Sequence, residues 1–435
     1  MKIKTALFLL AIVLCSAAGF SQSAAPDSVL AAYVQESWKS HPDVASMRAM
    51  IAAEESRTKM NSAWMNPGVS FGLMNVPQSF DTHMDPFTMW QIGLMQEFPI
   101  PGKLGASEKA GALRTRAAEA TVEETQYQMS SMVAMAYYDL AATLAVAKVL
   151  LRGKDLAQQM GDAAGVMVST GLGTHSEVLR ARLEFETWNV RITNNQADIT
   201  RKRAALAYAL GREDPATIAD PILPDSLPPE IALEAALQSD SLLATPSLKR
   251  LSFEAQATHA DVRRARLDYW PNVTLGLTYG LRGYLRSMST DQMTGITTVS
   301  KIKQDPMISL ELSAPLPLFY KGNQQAKVSE LSAMQHSREA ELAKVRLAKQ
   351  QELRDLAAKG QQDRDNFRTA QENIVPQAED AWQAMLIDYR AAKVPFASLA
   401  EARMKVVMAQ MDAIMYKADG WAVYRQWQAA LGKGI

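Results

Sequence analysis

Cysteine is all but missing from this chain. The only one, Cys15, stands within "MKIKTALFLLAIVLCSAAGFS" at the amino terminus, so the rest of the protein has no disulfide open to it. Histidine is scarce as well. His41, His83, His175, His259 and His336 are scattered, and no pair has zinc-ligand spacing with an acid nearby. Neither charge is in excess: lysine plus arginine and aspartate plus glutamate number 46 each. That balance, with no basic run, gives no footing to a nucleic-acid partner. Beyond the first residues no stretch reaches the ~18 uninterrupted apolar residues of a spanning helix. No local Ser/His/Asp signature occurs. "GLGT", Gly171 to Thr174, lacks the strand that precedes a phosphate loop and reads as a turn. These absences point away from an enzyme and call for no cofactor.

What is present begins with Lys2 and Lys4, an apolar core from Ala6 to Leu14, and small residues after it. This is the pattern of a secretory signal peptide over residues 1–21, with cleavage after Ser21. Leu14 precedes Cys15 where a lipoprotein signal would place a small residue, so the expected mature chain carries neither cysteine nor lipid.

The chain then says the same thing twice. His41-Pro42 and Thr245-Pro246 are 204 residues apart, as are Pro67 and Pro271, Val69 and Val273, and Gly72 and Gly276. Later the offset becomes 221, which matches Gly171 with Ala392, Val178 with Leu399, Arg182 with Arg403 and Gly211 with Gly432. The expected organisation is a first repeat over 22–211, a Pro-rich linker over 212–229 and a second repeat over 230–435. Each repeat reads as helix, strand, loop, strand, long helix, short break, helix. Trp90, Ile92 and Leu94 alternate as a strand face does, and so do Val273 to Leu281. No proline occurs from Leu104 to Thr170. Met129, Val133, Ala136, Leu140, Leu144, Ala147 and Leu151 give a coiled-coil seam, and a helix of ~65 residues is roughly 100 Å long. The second long helix has a nearly all-polar middle, Gly360 to Asn373, and an interior proline, Pro376, whose kink is either a packing bend or a hinge.

Four strands of 9–12 residues per chain suit a tilted membrane strand. They cannot close alone, because lipid satisfies no backbone group and known barrels start at about eight strands. Several chains must therefore share one barrel.

The duplicated order of "HPDV", "MNPGVSFG" with "WPNVTLGLTYG", "FPIPGK" with "APLPLF", "NIVPQAEDAW" and the two breaks resembles the outer membrane efflux channels typified by TolC, over nearly the whole mature chain. The look is closest to the heavy-metal branch. The resemblance implies a mainly α fold with a small membrane β-barrel: a homotrimer with a 12-stranded barrel in outer membrane lipid and a helical tunnel in the periplasm of a Gram-negative bacterium. It implies an exit duct working with a periplasmic adaptor and an inner-membrane pump, of RND type. The breaks become adaptor-docking tips formed by Gly171, Leu172, Val394 and Pro395, with Pro395 supplying the second turn in place of a glycine. Two acids that narrow such tunnels match Ser398 and Glu401 here. Arg390 and Arg403, with Lys405, are available as cationic tethers for a closed gate. Two other readings stay open, a periplasmic coiled-coil scaffold and a copper-binding periplasmic protein. For the latter, His83, Met84 and Met89 supply soft ligands, although methionine also simply fills irregular packing.

Overall fold

The computed structural model describes residues 26–238 and 242–434; the signal segment and Cys15 lie outside them. Its long elements are α1 (Pro26–Ser40), α2 (Pro42–Ser62), β1 (Gly68–Met74), β2 (Met89–Phe98), α3 (Lys103–Ser169), α4 (His175–Leu210), α5 (Pro246–Leu267), β3 (Val273–Arg282), β4 (Tyr284–Thr290), β5 (Thr297–Lys303), β6 (Met307–Ser313), α6 (Ala326–Thr369), α7 (Val375–Arg390) and α8 (Phe396–Ala430). Two compact units are built from these, and each draws on both halves of the chain.

The first unit comprises residues up to Ser46, Glu123–Thr245 and Ala348 onward. Its main core joins Leu30, Tyr33 and Val34 of α1 to Val133, Tyr137 and Leu140 of α3, Leu206 and Leu210 of α4, and Trp421 of α8. Each of the leucines and valines among them, fully buried, contributes ~1.5–3 kcal/mol. Three polar side chains around this core find partners. Trp38 Nε1 donates to the Gln126 carbonyl at 2.8 Å, Trp421 Nε1 donates to the Ser226 carbonyl at 2.9 Å, and Arg212 makes two 2.7 Å bonds to Glu36.

The expected seam of α3 holds from Met129 to Leu140 and then shifts. Leu151 is exposed, and the buried line continues through Val146, Leu150, Gly153, Ala157, Met160 and Ala164. Gly153 holds one of these positions. A Cβ there would collide with the indole of Trp188, so the missing side chain is the hole that the Trp188 knob fills, 1% exposed.

The apolar part of α3 includes a window long enough to cross a bilayer, but 56% of that window is buried within the fold. It is a core helix. Pro376 does not break its helix. The turn before it, Ala370–Ile374, is a π-helix, and the Val375 N–H reaches back five residues to the Ala370 carbonyl. The widened turn accommodates a residue that lacks an N–H and would crowd the carbonyl four residues earlier.

The second unit comprises Met47–Val122 and Pro246–Leu347. Its helices meet through small residues: Ala110 and Leu113 of α3 pack on Ala257 and Ala260 of α5, and Gly111 lies directly against Thr58 of α2. Arg114 pairs with Asp261 across the same contact. The four expected strands form one antiparallel sheet, in the order β1-β2-β3-β6. The longer loop of the second half holds an element the sequence reading missed, a separate hairpin of β4 and β5, turned at Asp291–Gly295 with Gly295 at φ 62°.

Candidate functional site

Both breaks are helix C-caps of one kind. At the first, the Gly171 N–H bonds the Val168 carbonyl at 3.1 Å and the Leu172 N–H bonds the Met167 carbonyl at 2.9 Å. At the second, the Ala392 N–H bonds the Tyr389 carbonyl and the Lys393 N–H bonds the Asp388 carbonyl, both at 2.9 Å. This is the Schellman pattern, in which one residue must turn left-handed. Gly171 has φ 73° and Ala392 has φ 56°. The expectation that Pro395 supplies the second turn is therefore corrected. Ala392 itself takes the left-handed conformation, and Pro395 is the extended N-cap of α8, with φ −74°. The same pattern closes α4 at Gly211 and α8 at Gly432, so each cap recurs after 221 residues.

The two tips lie side by side. Met160 and Ala164 of α3 and Ala181 of α4 share a cluster with Tyr389, Phe396 and Leu399 of the second hairpin, and Val394 packs against it half-buried. Glu177 joins them. One carboxylate oxygen accepts the Thr174 N–H at 3.2 Å, capping α4, and the other accepts the Phe396 N–H at 3.5 Å. Tyr389 is buried beside this carboxylate, its hydroxyl without a partner among the described residues; burial first, then Glu177, holds its pKa above the usual phenol value. Leu172, by contrast, is 63% exposed. No sequence signal beyond a Glu three residues after Thr174 pointed to Glu177.

The residues expected at the aperture separate into two environments. Glu401 is exposed and pairs with Lys405 at 3.2 Å, one turn along α8. Ser398 is half-buried in the first turn of α8, its N–H on the Pro395 carbonyl at 3.1 Å. Arg390 is exposed at the end of α7. Arg403 is buried, its guanidinium 5.0 Å from the Trp382 ring centroid. Burial lowers its pKa, and Glu379 works against that shift. Arg403 thus sits inside the second hairpin.

The sheet has two chemically distinct faces. Pairing places Val69, Phe71 and Leu73 beside Leu94, Ile92 and Trp90. These continue to Leu277, Tyr279 and Leu281, and Leu310 and Ile308 lie beside Leu277 and Tyr279. This apolar face is uncovered: Ile308, Leu310 and Leu312 are 72%, 74% and 72% exposed. The opposite face carries glycine, serine, threonine, glutamine and methionine, with Glu97, Arg282 and Glu311 among them.

His83 and Met84 lie in the loop between β1 and β2. The His83 ring stacks on Tyr284 at 4.1 Å and its Nδ1 lies 3.4 Å from Asp81. Met84 is exposed, whereas Met89 lies buried on the sheet, against Gly280. Among the described residues no three or more His, Cys, Asp or Glu gather as a metal-holding group.

The sequence model of a family described as "Outer membrane efflux protein" matches residues 33–212 and 237–433. The probable efflux pump outer membrane protein SepC and the toluene efflux pump outer membrane protein TtgF, both of Pseudomonas putida, are each 27% identical over 191 residues, 43% of this chain and 39% of theirs. The chain thus spans about two fifths of the length of the curated relatives it matches. The outer membrane protein VceC of Vibrio cholerae shares the fold, with a TM-score of 0.77 at 17% identity, over 94% of this chain and 97% of VceC.

Proposed function

The chain belongs to the outer membrane efflux protein family, and on that premise we propose that it is the outer-membrane exit duct of a tripartite export system. The observation that carries the reading is the sheet. Its edges β1 and β6 each pair on one side only, and one whole face is exposed and apolar. Such a face belongs in lipid, and lipid forbids open edges. Four strands are too few to close, so three copies give a 12-stranded barrel of cyclic symmetry. The repeats 22–211 and 230–435, joined by 212–229, supply one hairpin tip each.

In this reading the tips, with Leu172 foremost, meet a periplasmic adaptor, and the adaptor links the duct to an RND-type inner-membrane pump. Glu401 forms the acidic ring of the aperture, beside Ser398. Substrates are small molecules or metal ions; the relative TtgF is named for toluene efflux. No reacting group is required of a passive duct. A periplasmic scaffold would leave the apolar sheet face unexplained.

The test is assembly and conductance. The purified protein should be a trimer in detergent, stay with outer membranes after high-salt washing, and open ion-conducting pores in a planar bilayer. A monodisperse monomer that stays in solution without detergent would remove both barrel and duct. Leu172→Asp should then abolish export while trimer and insertion persist, since an unpaired carboxylate is costly at an apolar contact. Val394 is less suited to this test, because its side chain also packs inside the tip cluster.

A further inference from the structure

The polar face of the sheet is not uniformly polar. Register places four rows on it: Gly68–Met95–Gly276–Glu311, Ser70–Gly93–Thr278–Ser309, Gly72–Gln91–Gly280–Met307 and Met74–Met89–Arg282. If the apolar face meets lipid, this face looks into the pore. A wall built only to be wetted has no use for Met74, Met89, Met95 and Met307.

Their placement is specific. Met74 and Met89 are direct cross-strand partners. The Met89 thioether lies over Gly280, where a Cβ would collide with its Sδ. Gly280 is in turn the cross-strand partner of Met307. The glycine therefore opens a lane along which the Met89 sulfur crosses β3 towards β6. With neighbouring strands about 4.8 Å apart, Met74, Met89 and Met307 succeed one another diagonally across β1, β2 and β6, Met89 buried in the middle and Met74 and Met307 open to solvent on either side. One charge of the wrong sign is near. Arg282 stands opposite Met89, and its Nε–H is engaged at 2.7 Å by the Asp305 carbonyl. On another row Met95 leans against Gly276, with Glu311 on the other side of that glycine, so a thioether and a carboxylate share that level.

We infer that this methionine line is a transit site for a soft monovalent cation of the copper(I) or silver(I) class, bound as substrate. Thioethers select soft metals over the hard cations of the medium. Being neutral, they hold such an ion without the full grip of a thiolate, and a conducting site must release what it binds. The inference rests on the duct reading, since only a pore-facing wall makes the line a transit site.

Silver ion is the probe, because it is thiophilic and does not change oxidation state. The full chain in detergent is titrated with silver nitrate by calorimetry, and the bound metal is examined by X-ray absorption. The expected result is at least one silver ion per chain with sulfur neighbours. Changing Met74, Met89 and Met307 together to leucine, a volume-conserving exchange, should weaken binding at least tenfold. Gly280→Ala keeps every sulfur but blocks the lane, and should weaken it several-fold. Silver uptake by the triple variant at wild-type affinity and stoichiometry overturns the inference, as does a wild-type protein that takes up none. Potassium chloride conductance of the wild-type protein separates the two levels of argument. A protein that conducts but ignores silver loses only the metal assignment, and one that does not conduct loses the duct as well.

Discussion

Ala392 tests whether the second tip is held by its own backbone or merely tolerated. It is an alanine at φ 56°, where the matching residue of the first tip is Gly171 at φ 73°. A left-handed conformation costs a residue with a Cβ about 1–2 kcal/mol. Ala392→Gly removes that cost, but the glycine is freer in the unfolded chain, which returns about 0.4–1 kcal/mol. The net gain is about 0.5–1 kcal/mol, or roughly two- to fivefold in the opening equilibrium of the tip. Gly171→Ala should do the reverse, by about 1 kcal/mol. It is a clean perturbation, because nothing lies within 4 Å of the Cβ it would add. The reporters are the amides of Lys393 and Leu172, each closing its cap on a carbonyl five residues back. Hydrogen exchange read on peptides covering each tip should slow at Lys393 in Ala392→Gly and quicken at Leu172 in Gly171→Ala. If Ala392→Gly leaves exchange at the second tip unchanged or faster, the left-handed cost is not what limits that tip, and its packing on Phe396 and Leu399 must be.

Trp188→Ala should cost about 3–5 kcal/mol, since it empties the hole over Gly153; urea unfolding followed by helical circular dichroism measures it, and a loss near zero would mean that contact is not made. Asp363 is 6% exposed, and burial, then Asp419, holds its carboxyl above the usual carboxylate range, with Lys359 opposing. The folded chain therefore keeps this proton to higher pH than the unfolded chain, so the contribution of this group is most favourable in acid and is lost as pH rises through the folded value. Asp363→Asn should accordingly stabilise the protein at pH 7 and lose that advantage at pH 4; a gap that widens in acid would reverse the assignment. Glu401→Gln should change stability by less than about 0.5 kcal/mol, its pair with Lys405 being exposed, yet lower cation preference in single-channel recordings; unaltered selectivity and divalent block would take Glu401 out of the aperture.

The four strands of the sheet were legible because each has one apolar face, and alternation marks that directly. The hairpin of β4 and β5 was not. Both faces of β5 are exposed, and its two apolar residues, Val299 and Ile302, fall on opposite faces among serine, threonine and lysine, so no alternation marks it. The seam of α3 was misjudged past Leu140, where one of the core positions is Gly153, which apolar spacing alone does not mark. Arg403 was read as an available gate tether for its charge. Its spacing said otherwise: four residues after Leu399 and three before Val406, both fully buried, it occupies a core position of α8, made tolerable by the face of Trp382. Ala392 escaped because a left-handed alanine is rare enough that a nearby proline looked the better explanation.

The two hairpins, so alike at their tips, differ behind them. The first is led by α3, which is unbroken from Lys103 to Ser169. The second is led by α6 and α7, separated by the π-turn Ala370–Ile374. An interior proline forfeits about 3 kcal/mol or more in a regular helix. Here the widened turn has already given up the ladder bond that Pro376 cannot make, so the second hairpin owns a joint that the first lacks. A bend at that joint would not move α7 alone. The Tyr389 ring meets Phe396 edge-on at 6.0 Å, and Arg403 of α8 reaches over Trp382 of α7, so α7 and the start of α8 travel as a pair. What resists such a bend is then the seam between hairpins: Met160, Ala164 and Ala181 on one side, Tyr389, Phe396 and Leu399 on the other, with the Glu177 carboxylate capping α4 and holding the Phe396 N–H at once.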